Sequence, residues 1–159
     1  MRTAIIFYSL DGNSALVTET IKSAINADVF EIKTRGSGEG TGIAKFFWCC
    51  GLMFKGKNVS IVPPALNIEE YELIILGTPV WAWAPAPPML SFLNKTKIKG
   101  KKIALFCCHG GGMGKAFEKF KALLPGNTFT GEIDFKNAAT DGRAALKQKI
   151  DEWVKKVIS

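Results

Sequence analysis

Three apolar runs decide what this chain can fold into. Ala4-Ile5-Ile6-Phe7, Leu73-Ile74-Ile75-Leu76 and Ile103-Ala104-Leu105-Phe106 are too continuous for strands with one wet face and too short for helices. They suit strands buried on both sides, the situation of central strands in a parallel sheet. Helical spacing fills the intervals. Leu16, Val17, Ile21, Ala24 and Ile25 follow the first run, and Met89, Leu90, Phe92 and Leu93 follow Pro88, which suits a first helical turn. Ala116, Phe117, Phe120, Leu123 and Leu124 are stopped by Pro125-Gly126, and Leu146, Ile150, Trp153, Val154 and Val157 line one face of a terminal helix over 141–157. Asp28 to Lys33 alternates Val29, Phe30 and Ile32 with polar residues and predicts a strand at or near a sheet edge; 127–135 predicts the last strand. Strand and helix thus alternate about five times, which predicts an α/β fold: a doubly wound parallel sheet with helices on both faces.

At 159 residues, with 47% hydrophobic and 22% charged residues, the chain has the size and balance of a single globular domain over 1–159. No apolar run approaches the roughly 20 residues needed to span a bilayer. Met1-Arg2-Thr3 leads straight into the first run, so no signal peptide is expected and the location is taken as cytoplasmic. The four cysteines form two adjacent pairs, Cys49-Cys50 and Cys107-Cys108, without C-x-x-C spacing and with His109 as the single histidine. That excludes a disulfide framework and leaves little for a zinc site, so buried, inert thiols are expected, with Cys108 set apart by its position at a strand end. The net charge of +7 is concentrated in part at Lys95, Lys97, Lys99, Lys101 and Lys102. A solvated basic face is the ordinary meaning of such a cluster, and it would also steer an acidic partner or an anionic substrate. No nucleic-acid-binding motif accompanies the charge, so no nucleic acid is expected.

Each central run empties into an unusual loop. Ser9-Leu10-Asp11-Gly12-Asn13-Ser14 leads into a helix, whose N-terminus presents unpaired N–H groups and partial positive charge. With two hydroxyls, an amide and a flexible glycine, this turn has what a monophosphate needs; the same residues are also ordinary helix caps and turn formers. Thr78-Pro79-Val80-Trp81-Ala82-Trp83-Ala84-Pro85 follows the second run, a proline-stiffened loop whose tryptophans would wall a planar ligand. Cys108-His109-Gly110-Gly111-Gly112-Met113-Gly114 follows the third and permits close backbone approach. Ligands of open parallel sheets bind outside the carboxyl ends of the strands, where these three loops belong. Between the second and third strands, glycine stands at every second position over 36–42. Ile43 to Phe54 then carries apolar residues on nearly all sides. A helix packed on the sheet is the plain reading of that segment; its outward apolar residues would suit a lid, a homodimer contact or a partner surface.

In this combination and order the three loops resemble the flavodoxin family over essentially the whole chain. Ser9 to Ser14 is similar to the family's phosphate loop, with Asp11 where the family more often has threonine. Gly77-Thr78-Pro79-Val80-Trp81 resembles the first isoalloxazine loop of short flavodoxin-like proteins, and Cys108-His109-Gly110-Gly111-Gly112 the second. The resemblance implies a flavodoxin-like three-layer sandwich with a five-stranded parallel sheet of order 2-1-3-4-5, and FMN as cofactor. Ser9, Asp11, Gly12, Asn13 and Ser14 would hold the phosphate, with the Leu10 backbone. Thr78, Pro79, Val80, Trp81, Ala82 and Trp83 would line one side of the flavin, and Cys108, His109, Gly110, Gly111 and Gly112 the other. The implied function is electron transfer between redox proteins, with an acidic redox partner or reductase. The alternative is an FMN-dependent oxidoreductase passing electron pairs from a nicotinamide, NAD(P)H, to a quinone, and a third is a purely binding or assembly module.

Other readings of the same residues fail. His109-Gly110-Gly111-Gly112 matches an esterase oxyanion loop, but no G-x-S-x-G exists and the single histidine is already in that loop. Gly114-Lys115 lacks the upstream glycine and the following hydroxyl of a phosphate-binding P-loop. The end of the third sheet strand, Gly77-Thr78, lacks the acidic residue a response regulator requires.

Overall fold

The computed structural model describes the backbone of residues 1–35, 43–140 and 142–159, and the side chains of all of these except 43–47. In chain order the elements are β1 (Thr3–Phe7), α1 (Asn13–Ala24), β2 (Asp28–Glu31), β3 (Lys33–Thr34), α2 (Ile43–Lys55), β4 (Ile61–Val62) and β5 (Leu73–Trp81), then β6 (Ala84–Pro85), α3 (Pro87–Lys95), β7 (Lys102–His109), α4 (Ala116–Ala122), β8 (Thr128–Lys136) and α5 (Arg143–Ile158). Five strands pair in parallel in the order β2-β1-β5-β7-β8. Counted among themselves these run 2-1-3-4-5, the expected order, with β2 at the edge as its alternation predicts.

The apolar runs are continuous because both faces of the sheet are covered. Ile6, Ile74, Leu76, Ile103, Leu105 and Cys107 point to one side, where Met89 and Phe92 of α3 and Phe117 and Phe120 of α4 meet them. Ile5, Phe7, Leu73, Ile75, Ala104, Phe106 and Cys108 point to the other, against Val17 and Ile21 of α1 and Leu146, Ile150 and Trp153 of α5. Each fully buried Ile, Leu or Phe contributes roughly 1.5–3 kcal/mol, so this two-sided burial is what chiefly holds the centre of the sheet. At Gly77 a side chain is excluded outright: a Cβ there would lie 1.9 Å from the Phe106 ring.

The structure departs from the sequence-based expectations in several places. β5 does not end in an irregular loop at Thr78. It continues to Trp81 and turns back through Ala82 and Trp83 into β6, with Val80 opposite Pro85 and Trp81 opposite Ala84. Both turn residues have positive φ, 47° and 59°, which is the backbone a two-residue hairpin of matching twist demands. Val59 to Asn67, which Pro63-Pro64 marks in the sequence as an irregular connection, contributes β4, which pairs antiparallel with β3. The cysteines divide: Cys107 and Cys108 are buried, whereas Cys49 and Cys50 on α2 are only half-buried, because α2 lies on the sheet's margin. Leu52 of α2 is buried in the core and Trp48 packs on it, while Met53 and Phe54 face outward, Phe54 94% exposed. The helix therefore both covers the sheet and leaves an apolar edge. The glycine-rich stretch 36–42 lies outside the described residues.

Because the five strands are parallel, the ends at Phe7, Trp81, His109 and Lys136 open on one edge of the sheet. Lys95, Lys97, Lys99, Lys101 and Lys102 stand at the other, before and at the start of β7. Lys101 is held there by Glu69, 3.3 Å away. The eight residues of β7, at roughly 3.3 Å each, separate the two edges by about 25 Å. The basic cluster therefore does not border the loops that follow the central strands.

Candidate functional site

After β1 the chain moves outward to β2 and then returns across β1 to β5, so the strand order reverses between β1 and β5. At the carboxyl ends flanking that point, the structure opens a cavity of about 320 Å³ lined by Ser9, Leu10, Asp11, Asn13, Ser14, Pro79, Val80, Trp81, Cys108, His109, Gly110 and Asn137. A second cavity of about 320 Å³ shares Val80, His109 and Gly110 with it and adds Ala82, Trp83, Gly111 and Gly112. Together they span the size range of sites for small organic ligands.

The floor is the start of α1. Gly12 precedes it with φ 83° and supplies no side-chain cap. The Leu16 N–H closes the first helical turn on the Gly12 carbonyl at 2.9 Å, and the Ala15 N–H donates to Ser9 Oγ at 3.3 Å. The N–H groups of Asn13 and Ser14, at the positive end of the helix dipole, are thus the ones oriented for an incoming anion. Asn13 Oδ1 accepts from the Ala139 N–H at 3.0 Å, which ties the turn after β8 to this floor and assigns any anion contact to the amide nitrogen. The Ser14 hydroxyl is buried with no hydrogen-bond partner; the Cys108 thiol is its polar neighbour. Burial pushes the Cys108 thiol up to about 11, against the opposing pull of the neighbouring Ser14 hydroxyl, which does not reach hydrogen-bond geometry with it, and pushes Cys107 further still. Both remain thiols at neutral pH and are poor nucleophiles or metal ligands. Among the described residues no group of three or more His, Cys, Asp and Glu side chains could hold a metal ion.

One wall is the β5–β6 hairpin. Trp81 is half-buried and meets Tyr8 edge to face at 6.0 Å, so its ring is held rather than free to rotate. Trp83 stands at the tip, 68% exposed, its stem lying against Gly114: a Cβ on Gly114 would fall 2.5 Å from Trp83 Cβ. Thr78, expected to line a ligand, is fully buried instead. Its hydroxyl accepts from the Ala86 N–H and donates to the Pro79 carbonyl, each at 3.0 Å, and so braces the base of the hairpin. Gly12 likewise acts through backbone shape, outside the cavity linings.

The opposite wall carries the His109 imidazole, which pairs with a carboxylate that lies outside both cavity linings. His109 Nε2 lies 3.0 Å from Asp134 Oδ2, the imidazole being 8% exposed, while its Nδ1 is buried with no partner. Asp134 comes from β8 and was not legible as a site residue; nor was Asn137, whose N–H donates to the His109 carbonyl at 2.9 Å and whose φ is 49°. A signal for Asn137 did exist, an asparagine just past a strand, since asparagine tolerates the left-handed region, but that signal is common to many turns.

An open, doubly wound α/β sheet with its ligand crevice at the strand-order reversal is the class that this fold and site define. Within that class the chain belongs to the flavodoxin family: the flavodoxin family model matches residues 53–157, well over half of the chain, covering the hairpin and the His109 loop but not Ser9 to Ser14. Among curated proteins no sequence matches this chain. Similar solved structures include a flavoprotein in complex with FMN from Lactobacillus acidophilus, with a TM-score of 0.68 and 22% identity over 96% of this chain and 98% of that one. A protein from Bacteroides eggerthii classed as a flavoprotein has a TM-score of 0.74 and 19% identity over 99% and 98% of the two chains. Flavodoxin 2 from Bacillus cereus, in its oxidised form, has a TM-score of 0.62 and 17% identity over 99% and 98%. At these identities the likeness is one of fold. No helix among the described residues is long and apolar enough to cross a membrane.

Proposed function

We propose that the chain binds FMN in the two adjoining cavities and carries electrons between redox proteins. The observation behind this reading is the convergence, at one strand-order reversal, of uncapped N–H groups, an unpartnered buried hydroxyl and a wall of held aromatic side chains. A buried polar atom without a partner costs about 1–3 kcal/mol, a cost that a bound ligand's oxygen would remove at Ser14. The fit to a phosphorylated, planar group is therefore chemical as well as spatial. In this reading the Asn13 and Ser14 N–H groups, the Ser14 hydroxyl and the Asn13 amide hold the phosphate. Trp81 and Trp83 exclude water from one side of the ring system, and the backbone of His109 to Gly112 faces the other. The cofactor, when bound, supplies the capacity to accept and release electrons, and the protein sets its surroundings.

Electron exchange takes place at the rim formed by Trp83 and the Gly110–Gly112 turn, about 25 Å from the basic cluster. The net charge of +7 would draw an acidic redox partner toward the molecule at long range, while the contact itself forms elsewhere. The test is a fluorescence titration of FMN with the apoprotein, followed by anaerobic reduction watched by visible absorbance. Quenching, then bands that rise and decay before full reduction, is the expected result, since a carrier separates its two electron steps. Quenching followed by direct passage to the fully reduced spectrum would favour an FMN-dependent oxidoreductase acting between a nicotinamide and a quinone. Absence of quenching overturns the cofactor assignment.

A further inference from the structure

The outer side of α2 is apolar in a way that the fold does not use. Trp48 and Leu52, one helical turn apart, pack into the core together with Val59 and Ile61 from further along the chain. Cys50, Met53 and Phe54, spaced by three and four residues, share a different stripe of the helix and frame an apolar cavity of about 310 Å³. On that stripe Met53 is 43% and Phe54 94% exposed. A lone exposed apolar side chain is ordinary, but a stripe of them on one helix marks a surface that something else covers. The charge around it has one sign. From Trp48 to Ile68 the sequence holds Lys55 and Lys57 and no Asp or Glu, and both lysines are exposed immediately after Phe54. The β3–β4 pair that follows repeats the combination: Val62 is exposed and stands directly opposite Lys33, on the same side of the pair. Arg35, whose N–H donates to the Ser60 carbonyl at 2.9 Å, adds a further exposed cation, and the acidic group there, Glu31, lies 3.9 Å from Lys33.

We propose that the outer side of α2, with the β3–β4 pair beside it, is a docking surface for an anionic lipid bilayer. Phe54 and Met53 enter the head-group layer, and Lys55 and Lys57 meet the lipid anions. Projecting apolar side chains on a helix flanked by lysines are what an interfacial contact of this kind requires, and the basic charge favours anionic over zwitterionic lipid. At 13 residues α2 is too short to span the bilayer, so the contact is with the surface. A second copy of this chain fits the patch less well. A two-fold contact would set Lys55 and Lys57 against their own counterparts. A phenylalanine covers about 150–250 Å². With one such ring and Met53 the patch falls well short of the roughly 800 Å² per partner of a standard interface. β3 begins one residue after β2 ends, at the carboxyl edge of the sheet, so the β3–β4 pair stands on the same edge as the two cavities and away from the lysines at 95–102. The proposal does not depend on the cofactor.

The test is co-sedimentation of the full chain with vesicles, either of phosphatidylcholine alone or of phosphatidylcholine mixed with phosphatidylserine. Binding is expected to the mixed vesicles only, and it should weaken between about 0.01 and 0.15 M salt. Phe54→Ala should weaken it about tenfold. Its melting temperature should be unchanged, because the exposed ring supports nothing in the fold. Lys55→Glu with Lys57→Glu should abolish binding. Lys97→Glu with Lys99→Glu also takes the net charge from +7 to +3, but at the other edge, and should leave most of the binding in place. Equal loss with the two lysine pairs would mean adsorption by net charge and would overturn the assignment to this face. Binding indifferent to Phe54→Ala would overturn the role of the apolar stripe. Failure to bind the mixed vesicles overturns the proposal. A dimer in analytical ultracentrifugation that Phe54→Ala dissolves would then make a second copy the occupant.

Discussion

Ser14 places a hydroxyl where the protein offers it no hydrogen bond, and that single atom separates stability from binding. Replacing it by alanine removes a buried unsatisfied group, so the apoprotein should be unchanged or more stable by up to about 1 kcal/mol. FMN should bind about tenfold or more weakly, since a hydrogen bond to a charged group is worth roughly 1.5–3 kcal/mol. Thermal melting of the apoprotein and fluorescence titration with FMN would read the two effects; a loss of stability without a loss of affinity would show the hydroxyl to be a structural group. Ser14 was recognisable from the sequence because everything that marks it is local: a polar turn between a buried strand and an amphipathic helix. The pairing of His109 with Asp134 was not, because the two are 25 positions apart and only the β7–β8 register makes them neighbours. Thr78 shows the converse. Its neighbours in the sequence suggested a ligand contact, but the hairpin turns the hydroxyl inward onto Ala86 and Pro79.

That hairpin is the element in which the sequence was least informative. Pro79, Pro85, Pro87 and Pro88 speak against regular structure, yet β5 runs to Trp81 and pairs with β6, because Pro85 needs no donor where the strand pair is only two residues long. The usual marker of such a turn, Asn-Gly or Asp-Gly, is missing; Ala82 and Trp83 take left-handed backbone instead. An alanine in that region costs about 1–2 kcal/mol, and glycine gives back roughly 0.5–1 through its freer unfolded chain. Ala82→Gly should therefore gain about 0.5–1 kcal/mol, a rise in Tm of about 2 °C. A lower Tm on calorimetry would mean that the Ala82 methyl is held by contacts worth more than the strain. The remaining elements were largely legible, β1, β5 and β7 from their apolar runs and α5 from its 3.6-residue spacing, because two-sided burial leaves no polar position to confuse the pattern. Their ends were less so: each of these three strands extends beyond its apolar run, to Thr3 in β1, Trp81 in β5, and Lys102 and His109 in β7.

Across the molecule as a whole the sheet separates charge from chemistry. The lysines gather at the amino edge and the cavities open at the carboxyl edge, about 25 Å apart. If the cluster acts only by steering, Lys97→Glu with Lys99→Glu, which takes the net charge from +7 to +3, should slow electron exchange with an acidic redox protein several-fold at about 0.01 M salt. The difference should vanish near 0.15 M, where the screening length is about 8 Å. A slowing that survives 0.15 M salt, followed by stopped-flow, would put the docking contact on the lysines. The class of fold, the alternation of elements and the three loops at the carboxyl ends of the central strands could all be read from the chain alone, because burial pattern and turn chemistry are written within a few residues of where they act. Which groups from distant segments meet was settled only by packing: Asp134 with His109, Asn13 with Ala139, Gly114 beneath Trp83. Those contacts depend on strand register and on the direction in which a loop returns, properties that belong to the packed sheet and to no single stretch of chain.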